Sequence, residues 1–160
     1  MATQNSTLTQ DHVKSLFDYR DGQLYRKSNG KISACKHADG YLRSHINNKI
    51  YYNHRLIFLI HYGYMPTFID HIDGNPANNK IENLREVTNG QNQHNKTINA
   101  NNKSGVKNVH WSNSMKKWCV QISVDNKIKT VGFYDGLELA DHAAQEARKM
   151  YHGEYANNGR

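Results

Sequence analysis

The stretch Ile69–Lys96, IDHIDGNPANNKIENLREVTNGQNQHNK, decides how this chain is read. Phe68 to His71 has the composition of a short strand, and Asp73-Gly74-Asn75-Pro76 carries turn residues. Leu84-Arg85-Glu86-Val87 is a second strand, with Ile81 and Leu84 as apolar anchors. Thr88 is followed three residues later by Gln91, the capping-box spacing that opens a helix. A strand-loop-strand-helix unit can gather one carboxylate (Asp70), one imidazole (His71) and two amides (Asn83 and Asn92). Asp70 offers an anionic oxygen and Asn92 a neutral one, a donor set that suits magnesium, which keeps much of its hydration. An imidazole can take a proton from water at working pH. Neighbouring strand residues face opposite ways, so Asp70 and His71 serve one site only at a twist or a strand end. The Gly74 turn supplies such an end.

Outward from this segment the charge changes sign. The 160 residues carry a net charge of +7, distributed unevenly. Residues 1–66 hold nine Lys/Arg against four Asp/Glu, residues 67–100 three against four, and residues 101–160 nine against six. Basic flanks around a slightly acidic centre suit a polyanion binder with a metal-binding middle. Hydrophobic residues make up 37% and mean hydropathy is −0.88, a polar composition. The longest apolar run, Leu56 to Ile60, is far too short to span a bilayer, so no membrane partner is expected. The N-terminal MATQNSTLTQ lacks the basic-then-apolar order of a secretory signal. Cys35 and Cys119 form no CxxC pair, which argues against a thiolate zinc site and for two free thiols in a reducing compartment.

Before the central segment, residues 11–19 read as a short helix, followed by the Asp21-Gly22 turn and a strand at Gln23–Arg26. Leu42, Ser44 and Ile46 alternate with Tyr41, Arg43 and His45, giving a half-buried strand between the Asp39-Gly40 and Asn47-Asn48 turns. Asn53 to Tyr62 reads as a helix with Asn53 as its cap and Gly63 as its end. Arg26, Lys27, Arg43, Lys49 and Arg55, set among Tyr41, Tyr51 and Tyr52, form a basic surface open to solvent or to a nucleic-acid backbone. His54 and His61 are read as structural. After the linker-like Asn99–Lys103, strands are expected at Val106–Trp111, Lys116–Val124 and Lys129–Tyr134. A helix follows over Leu137–Tyr151, with an apolar stripe of Leu139, Ala140, Ala143, Ala144 and Ala147.

The central residues resemble the HNH nuclease family, in particular its homing-endonuclease branch with a ββα-metal site. Asp70-His71, Asp73-Gly74-Asn75, Asn79-Lys80-Ile81-Glu82-Asn83-Leu84 and Asn92 carry the resemblance. It implies a metal-dependent DNA endonuclease, with His71 activating water and Asp70 and Asn92 holding one divalent cation, magnesium or alternatively manganese. Asn83 joins His71 in the catalytic set by bracing the loop and the base. His94 competes with Asn92 for the last position, but the two stand about 200° apart on a helix, and Asn92 keeps the branch's spacing. Phosphodiester hydrolysis to a 5′-phosphate and a 3′-hydroxyl is expected, as a nick from one site per chain. The alternative is a DNA-binding regulator with an inactive nuclease core.

Residues 104–156 resemble the Apetala/ethylene-response-factor type of DNA-binding domain. Ser104-Gly105-Val106, Trp111, Lys117–Ile122, Gly132-Phe133-Tyr134, Glu138-Leu139-Ala140 and Gly153–Ala156 carry this second likeness. In that family a three-stranded sheet enters the major groove and a helix braces it from behind. Alternation turns Trp118, Val120 and Ile122 toward the helix and leaves Lys117, Cys119, Gln121 and Ser123 toward DNA, with Lys107 and Thr130 on the neighbouring strands. Arg85 and Lys96 complete the expected DNA contacts.

The whole is read as an α+β, multi-unit chain with a ββα-metal core and a C-terminal three-stranded antiparallel sheet packed on one helix. The expected division is residues 1–65, 66–100 and 101–160. The partner is double-stranded DNA and the chain a monomer or weak dimer. The resemblance places it in the cytoplasm of a bacterial host, encoded by a phage or mobile element.

Overall fold

A computed structural model of the chain describes residues 8–94, 98, 101–125 and 127–158. Two compact units emerge, Met1–Glu86 and Val87–Arg160. The first begins with α1 (Gln10–Leu16), capped by the Thr9 hydroxyl, which accepts the His12 N–H at 3.3 Å. The helix stops earlier than the sequence suggests. Phe17–Arg20 is a strand (β1) paired antiparallel with Gln23–Arg26 (β2). The cause is the turn between them: Asp21 and Gly22 both take positive φ (44° and 83°). That is the type I′ geometry that demands a strand on each side.

Next come β3 (Cys35–Lys36), β4 (Leu42–Ile46) and β5 (Lys49–Tyr52), an antiparallel sheet in that order. In β4 the expected alternation holds: Ser44 and Ile46 are buried, His45 exposed. Helix α2 (Asn53–Tyr62) follows and ends at Gly63. Asn53 does not cap it, because Tyr52 is the cap residue and Asn53 is buried. Its Nδ2 donates to the Ser33 carbonyl and its Oδ1 accepts the Ser44 hydroxyl, both at 2.7 Å. The side chain thus ties the helix start to β4 and leaves the cap unserved. Leu56, Ile57, Phe58 and Leu59 of α2 join Val13, Phe17, Leu24, Ile46, Ile69 and Leu84 in one core. Ile69 lies on β6 (Phe68–His71) and Leu84 on β7 (Leu84–Val87), which pair in a two-stranded sheet.

The second unit opens with α3 (Asn89–His94). The capping box is present: Gln91 Oε1 accepts the Thr88 N–H at 2.8 Å and Thr88 Oγ1 accepts the Gln91 N–H at 3.3 Å. Strands β8 (Val109–Ser112), β9 (Lys117–Val124) and β10 (Lys127–Tyr134) form an antiparallel sheet ordered β10-β9-β8. β8 starts three residues later than expected because Asn108 adopts φ 69°, off the extended range. Helix α4 (Leu137–His152) packs on this sheet through Ala140 and Ala144 against Val109 and Val120. Leu139 is not part of the stripe; it is 65% exposed. The buried rim of α4 instead carries Arg148, which is wholly buried and donates to the Lys107 carbonyl at 2.7 Å and to Asn158 Oδ1 at 3.0 Å. Both thiols are free, Cys35 exposed and Cys119 buried. Among the described residues no helix is long and apolar enough to cross a membrane.

Candidate nuclease site and nucleic-acid face

The loop from Ile72 to Asn83 is built from amides. The Ile72 N–H donates to the Asn83 carbonyl at 2.9 Å, closing the loop just beyond the two strands. Asp73 Oδ1 accepts the Asn75 N–H (2.8 Å) and Asn83 Nδ2 (2.9 Å), while Asp73 Oδ2 accepts Asn78 Nδ2 (2.7 Å). Asn83 returns the favour, its Oδ1 accepting the Asp73 N–H at 3.0 Å and its Nδ2 donating to the Asn78 carbonyl at 2.8 Å. Burial pushes the Asp73 carboxyl up, but donors from Asn78, Asn75 and Asn83 and the nearby His71 more than offset it, so its pKa lies below the ordinary value. Asn83 therefore braces the loop.

Two turns of the first unit clamp this loop. At Gly22 an added Cβ would stand 2.9 Å from the Lys80 backbone N, and at Gly40 it would stand 2.9 Å from Pro76 Cγ. Both glycines have positive φ, so a side chain would meet strain and a clash together. Lys80 Nζ reinforces the first clamp with an ion pair to Asp21 at 2.9 Å, and Tyr19 Oη accepts the Ile81 N–H at 3.0 Å.

At the end of β6, Asp70 and His71 are both buried, 7% and 4% exposed. Their side chains engage different partners, as strand alternation requires. His71 Nε2 lies 2.9 Å from Asn79 Oδ1, and Asn79 is itself 1% exposed. The His71 ring packs edge-on against His54 (centroids 5.1 Å apart) and against Tyr41 (5.7 Å). His54 is held neutral, its pKa lowered to about 3 by burial, then by His71 and Arg55. Burial and the charges of Asp39 and Asp70 raise the pKa of Tyr41. Asn79, Tyr41 and His54 were not singled out as site residues from the sequence. The one available signal was Asn79 in the NNKIENL tract; the two rings come from other elements, which only folding joins.

Asp70 Oδ2 is met by Arg85 through Nε and Nη2, each at 3.0 Å. Arg85 was expected to face DNA. In the fold it pairs with Asp70, since a buried carboxylate requires a paired cation. The oxygens of a carboxylate such as Asp70 and of a side-chain amide such as Asn92 are of the hard type that divalent ions such as magnesium accept. No group of three or more His, Cys, Asp and Glu able to hold a metal occurs among the described residues. Asn92 stands half-buried on α3, its N–H donating to the Thr88 carbonyl at 3.0 Å.

Several basic residues of the first unit are engaged internally. Arg43 binds Asp39 (2.8 Å) and Tyr52 Oη (2.7 Å), and Arg55 binds the Pro66 carbonyl (2.8 Å). In the second unit, Gln121 pairs with Thr130, its Nε2 donating to Oγ1 at 3.2 Å, and Ser123 is exposed beside them. Lys117 lies on the same strand with Nζ 3.2 Å from Asp135. Cys119 is on the outer row as expected but is 2% exposed: it pairs with His110 on one side and Phe133 on the other, and these larger side chains cover it. Lys107 precedes β8 instead of lying on it and is half-buried, with its pKa lowered to about 8 by burial and by Arg148. Trp118 packs on the core, and Trp111 leans edge-on against it at 5.2 Å while staying 45% exposed. Lys96 lies outside the described residues, as do the side-chain placements of Gln93 and His94.

Comparison with known proteins agrees with this layout. Residues 51–94 match a family model described as HNH endonuclease, a span that takes in α2 and His54 as well as the loop. Protein 3.8 of Escherichia phage T7 is 33% identical over 89 residues, covering 56% of this chain and 73% of that protein. An uncharacterized HNH endonuclease, L560, of Acanthamoeba polyphaga mimivirus is 38% identical over 81 residues, covering 49% of this chain and 42% of that protein. A solved structure concerned with DNA binding and cleavage by the HNH homing endonuclease I-HmuI is 31% identical with a TM-score of 0.42, covering 76% of this chain and 72% of that one. With the motif-bearing loop and the family match falling on the same residues, the chain belongs to the HNH endonuclease family.

Proposed function

We propose that this protein is a metal-dependent DNA endonuclease of the homing type that nicks double-stranded DNA. The observation that carries the reading is His71, buried at a strand end with its Nε2 against Asn79 Oδ1. An amide oxygen only accepts, so Nε2 carries the proton and the basic lone pair falls on Nδ1. In that form His71 takes a proton from water as the water oxygen bonds to phosphorus and the P–O3′ bond breaks, and the departing O3′ takes a proton from solvent, leaving a 5′-phosphate and a 3′-hydroxyl. Asp70 and Asn92 would hold one divalent cation, magnesium or manganese, which when bound supplies charge neutralisation at the phosphate and the leaving oxygen. Asn79 fixes the His71 tautomer, Asn83 holds the loop that presents it, and Tyr41 and His54 pack against its ring.

The functional division we propose is residues 1–65 as support, 66–100 as nuclease motif and 101–160 as an Apetala/ethylene-response-factor type module. In that module the sheet of β8, β9 and β10 lies in the major groove, with Lys117, Gln121, Ser123 and Thr130 toward DNA and α4 behind. A plasmid-nicking assay with and without magnesium tests the reading. Supercoiled DNA should open only with the metal, and His71→Ala should lower the rate by about 100-fold or more while DNA binding persists. A His71→Ala protein that nicks as fast as the native chain overturns the mechanism. Mobility shifts with no nicking under any divalent cation would instead identify a regulator with an inactive core.

A further inference from the structure

The outer face of the C-terminal sheet has a composition that discriminates among bases. Pairing places its side chains in rows: His110, Cys119 and Phe133; then Gln121 with Thr130; then Ser123 with Ile128. The register shift between Thr130 and Gly132 keeps Phe133 in line with this face. None of these residues is charged as drawn by the sequence at neutral imidazole, and none is an arginine. From Val87 onward the chain contains Arg148 and Arg160. Arg148 is wholly buried under the sheet with its guanidinium on Lys107 and Asn158; Arg160 lies outside the described residues. Among the described residues, no guanidinium is therefore available on this face to fork onto guanine O6 and N7, the commonest specific contact to G·C pairs.

Gln121 and the apolar neighbours point the other way chemically. A primary amide has two N–H donors and one acceptor. Gln121 spends one donor on Thr130 Oγ1, which fixes the amide and leaves a donor and an acceptor for a base edge. That pair matches adenine N7 and N6–H. On the same face Ile128 is 76% exposed and Phe133 is 42% exposed. The thymine C5-methyl is the apolar feature that the major groove presents. Lys117 shares this face of β9, at its hairpin end and 3.2 Å from Asp135, whereas Lys127 and Lys129 pair with Val124 and Ile122 and belong to the opposite face.

We infer that this face selects A·T-rich over G·C-rich duplex, with Gln121 reading adenine and Ile128 and Phe133 taking thymine methyls. The inference rests on the proposal that the sheet enters the major groove. The test uses the full-length chain in a metal-free buffer, with three duplexes of equal length: A·T-rich, G·C-rich, and the A·T-rich duplex with every thymine replaced by uracil, which lacks the methyl. A·T-rich DNA should bind about 10-fold more tightly than G·C-rich DNA, and uracil should erase a several-fold part of that gap. Gln121→Ala should weaken A·T-rich binding alone, and Ile128→Ala should make thymine and uracil duplexes equivalent. Both side chains reach the surface, so the variants should keep the native melting temperature. Equal affinity for all three duplexes, or a G·C preference, overturns the inference and leaves DNA binding standing. An A·T preference blind to uracil and to both substitutions overturns it too, since it locates the selection elsewhere. Failure to bind any duplex sinks the DNA-binding reading itself.

Discussion

The loop at residues 72–83 and the outer face of the C-terminal sheet are both polar, yet they are polar in opposite ways. In the loop, Asp73, Asn75, Asn78 and Asn83 spend their side chains on the loop's own backbone and on one another. On the sheet, Gln121, Ser123 and Thr130 stand at the surface, with one side-chain bond, Gln121 to Thr130, locking an amide whose remaining groups face outward chemistry. The first arrangement fixes geometry and the second keeps recognition groups available. A residue type therefore says little about role: asparagine in the loop is scaffold, while its homologue glutamine on the sheet is, in our proposal, a reader.

Substitutions that split scaffold from reader break this comparison most sharply. Asn79→Leu should cut nicking by roughly 100-fold, because His71 loses the acceptor that fixes its tautomer, much as wrong-tautomer histidines fail elsewhere. DNA affinity should stay within about twofold. A variant that loses binding instead of turnover would make Asn79 part of the DNA surface. Gly22→Val is next in size. Nothing at Gly22 touches His71, yet a side chain there presses on the Lys80 backbone and, through it, on Asn79. A loss of about 1–3 kcal/mol in unfolding free energy and a clear fall in nicking are expected, read by thermal melting and the plasmid assay. Native melting and native nicking would show that the clamp is decorative.

The same contrast explains what was legible in the sequence. Strand, turn, strand and capped helix from Phe68 to His94 were readable because each has a local signal: turn residues, an apolar anchor and a capping-box spacing. The candidate residues Asp70, His71 and Asn83 came with them. Arg85 was not readable as the partner of Asp70, since basic residues near a DNA site are ordinarily counted toward phosphate. Tyr41 and His54 were invisible because their approach to His71 depends on packing between β4, α2 and β6. In the second unit alternation placed Gln121 and Thr130 correctly but could not say that small Cys119 would be covered by His110 and Phe133. The Leu139 error has the same origin, since a helical stripe read from sequence gives no weight to a buried Arg148.

Arg148 supplies the third prediction, on the reader side. Arg148→Met keeps the volume but leaves the Lys107 carbonyl without its donor, at about 1–3 kcal/mol. The C-terminal unit should melt earlier and bind DNA less tightly at elevated temperature. If the proposed division holds, the His71 environment, followed by imidazole NMR, should not change. A shift in the His71 resonance would tie the two regions together and weaken the contrast.

The smallest effect concerns His54, which sharpens what scaffold means at the site. Its pKa falls from the ordinary imidazole value to about 3 in the folded chain, with burial the main cause. Between about pH 6.5 and about pH 3 the unfolded chain binds a proton that the folded chain refuses. Stability carried by the neutral ring is thus present above pH 6.5 and declines as pH falls through this window, by at most about 1.4 kcal/mol per pH unit. His54→Phe keeps an aromatic edge against His71 and removes the buried Nδ1, which has no hydrogen-bond partner. At pH 7 the variant should melt within about 1 kcal/mol of the native chain, because loss of an unsatisfied polar atom offsets the change in packing. From pH 6.5 to pH 4 its melting temperature should fall less steeply than the native one. Parallel melting curves across that range would mean that His54 charges freely in the folded chain.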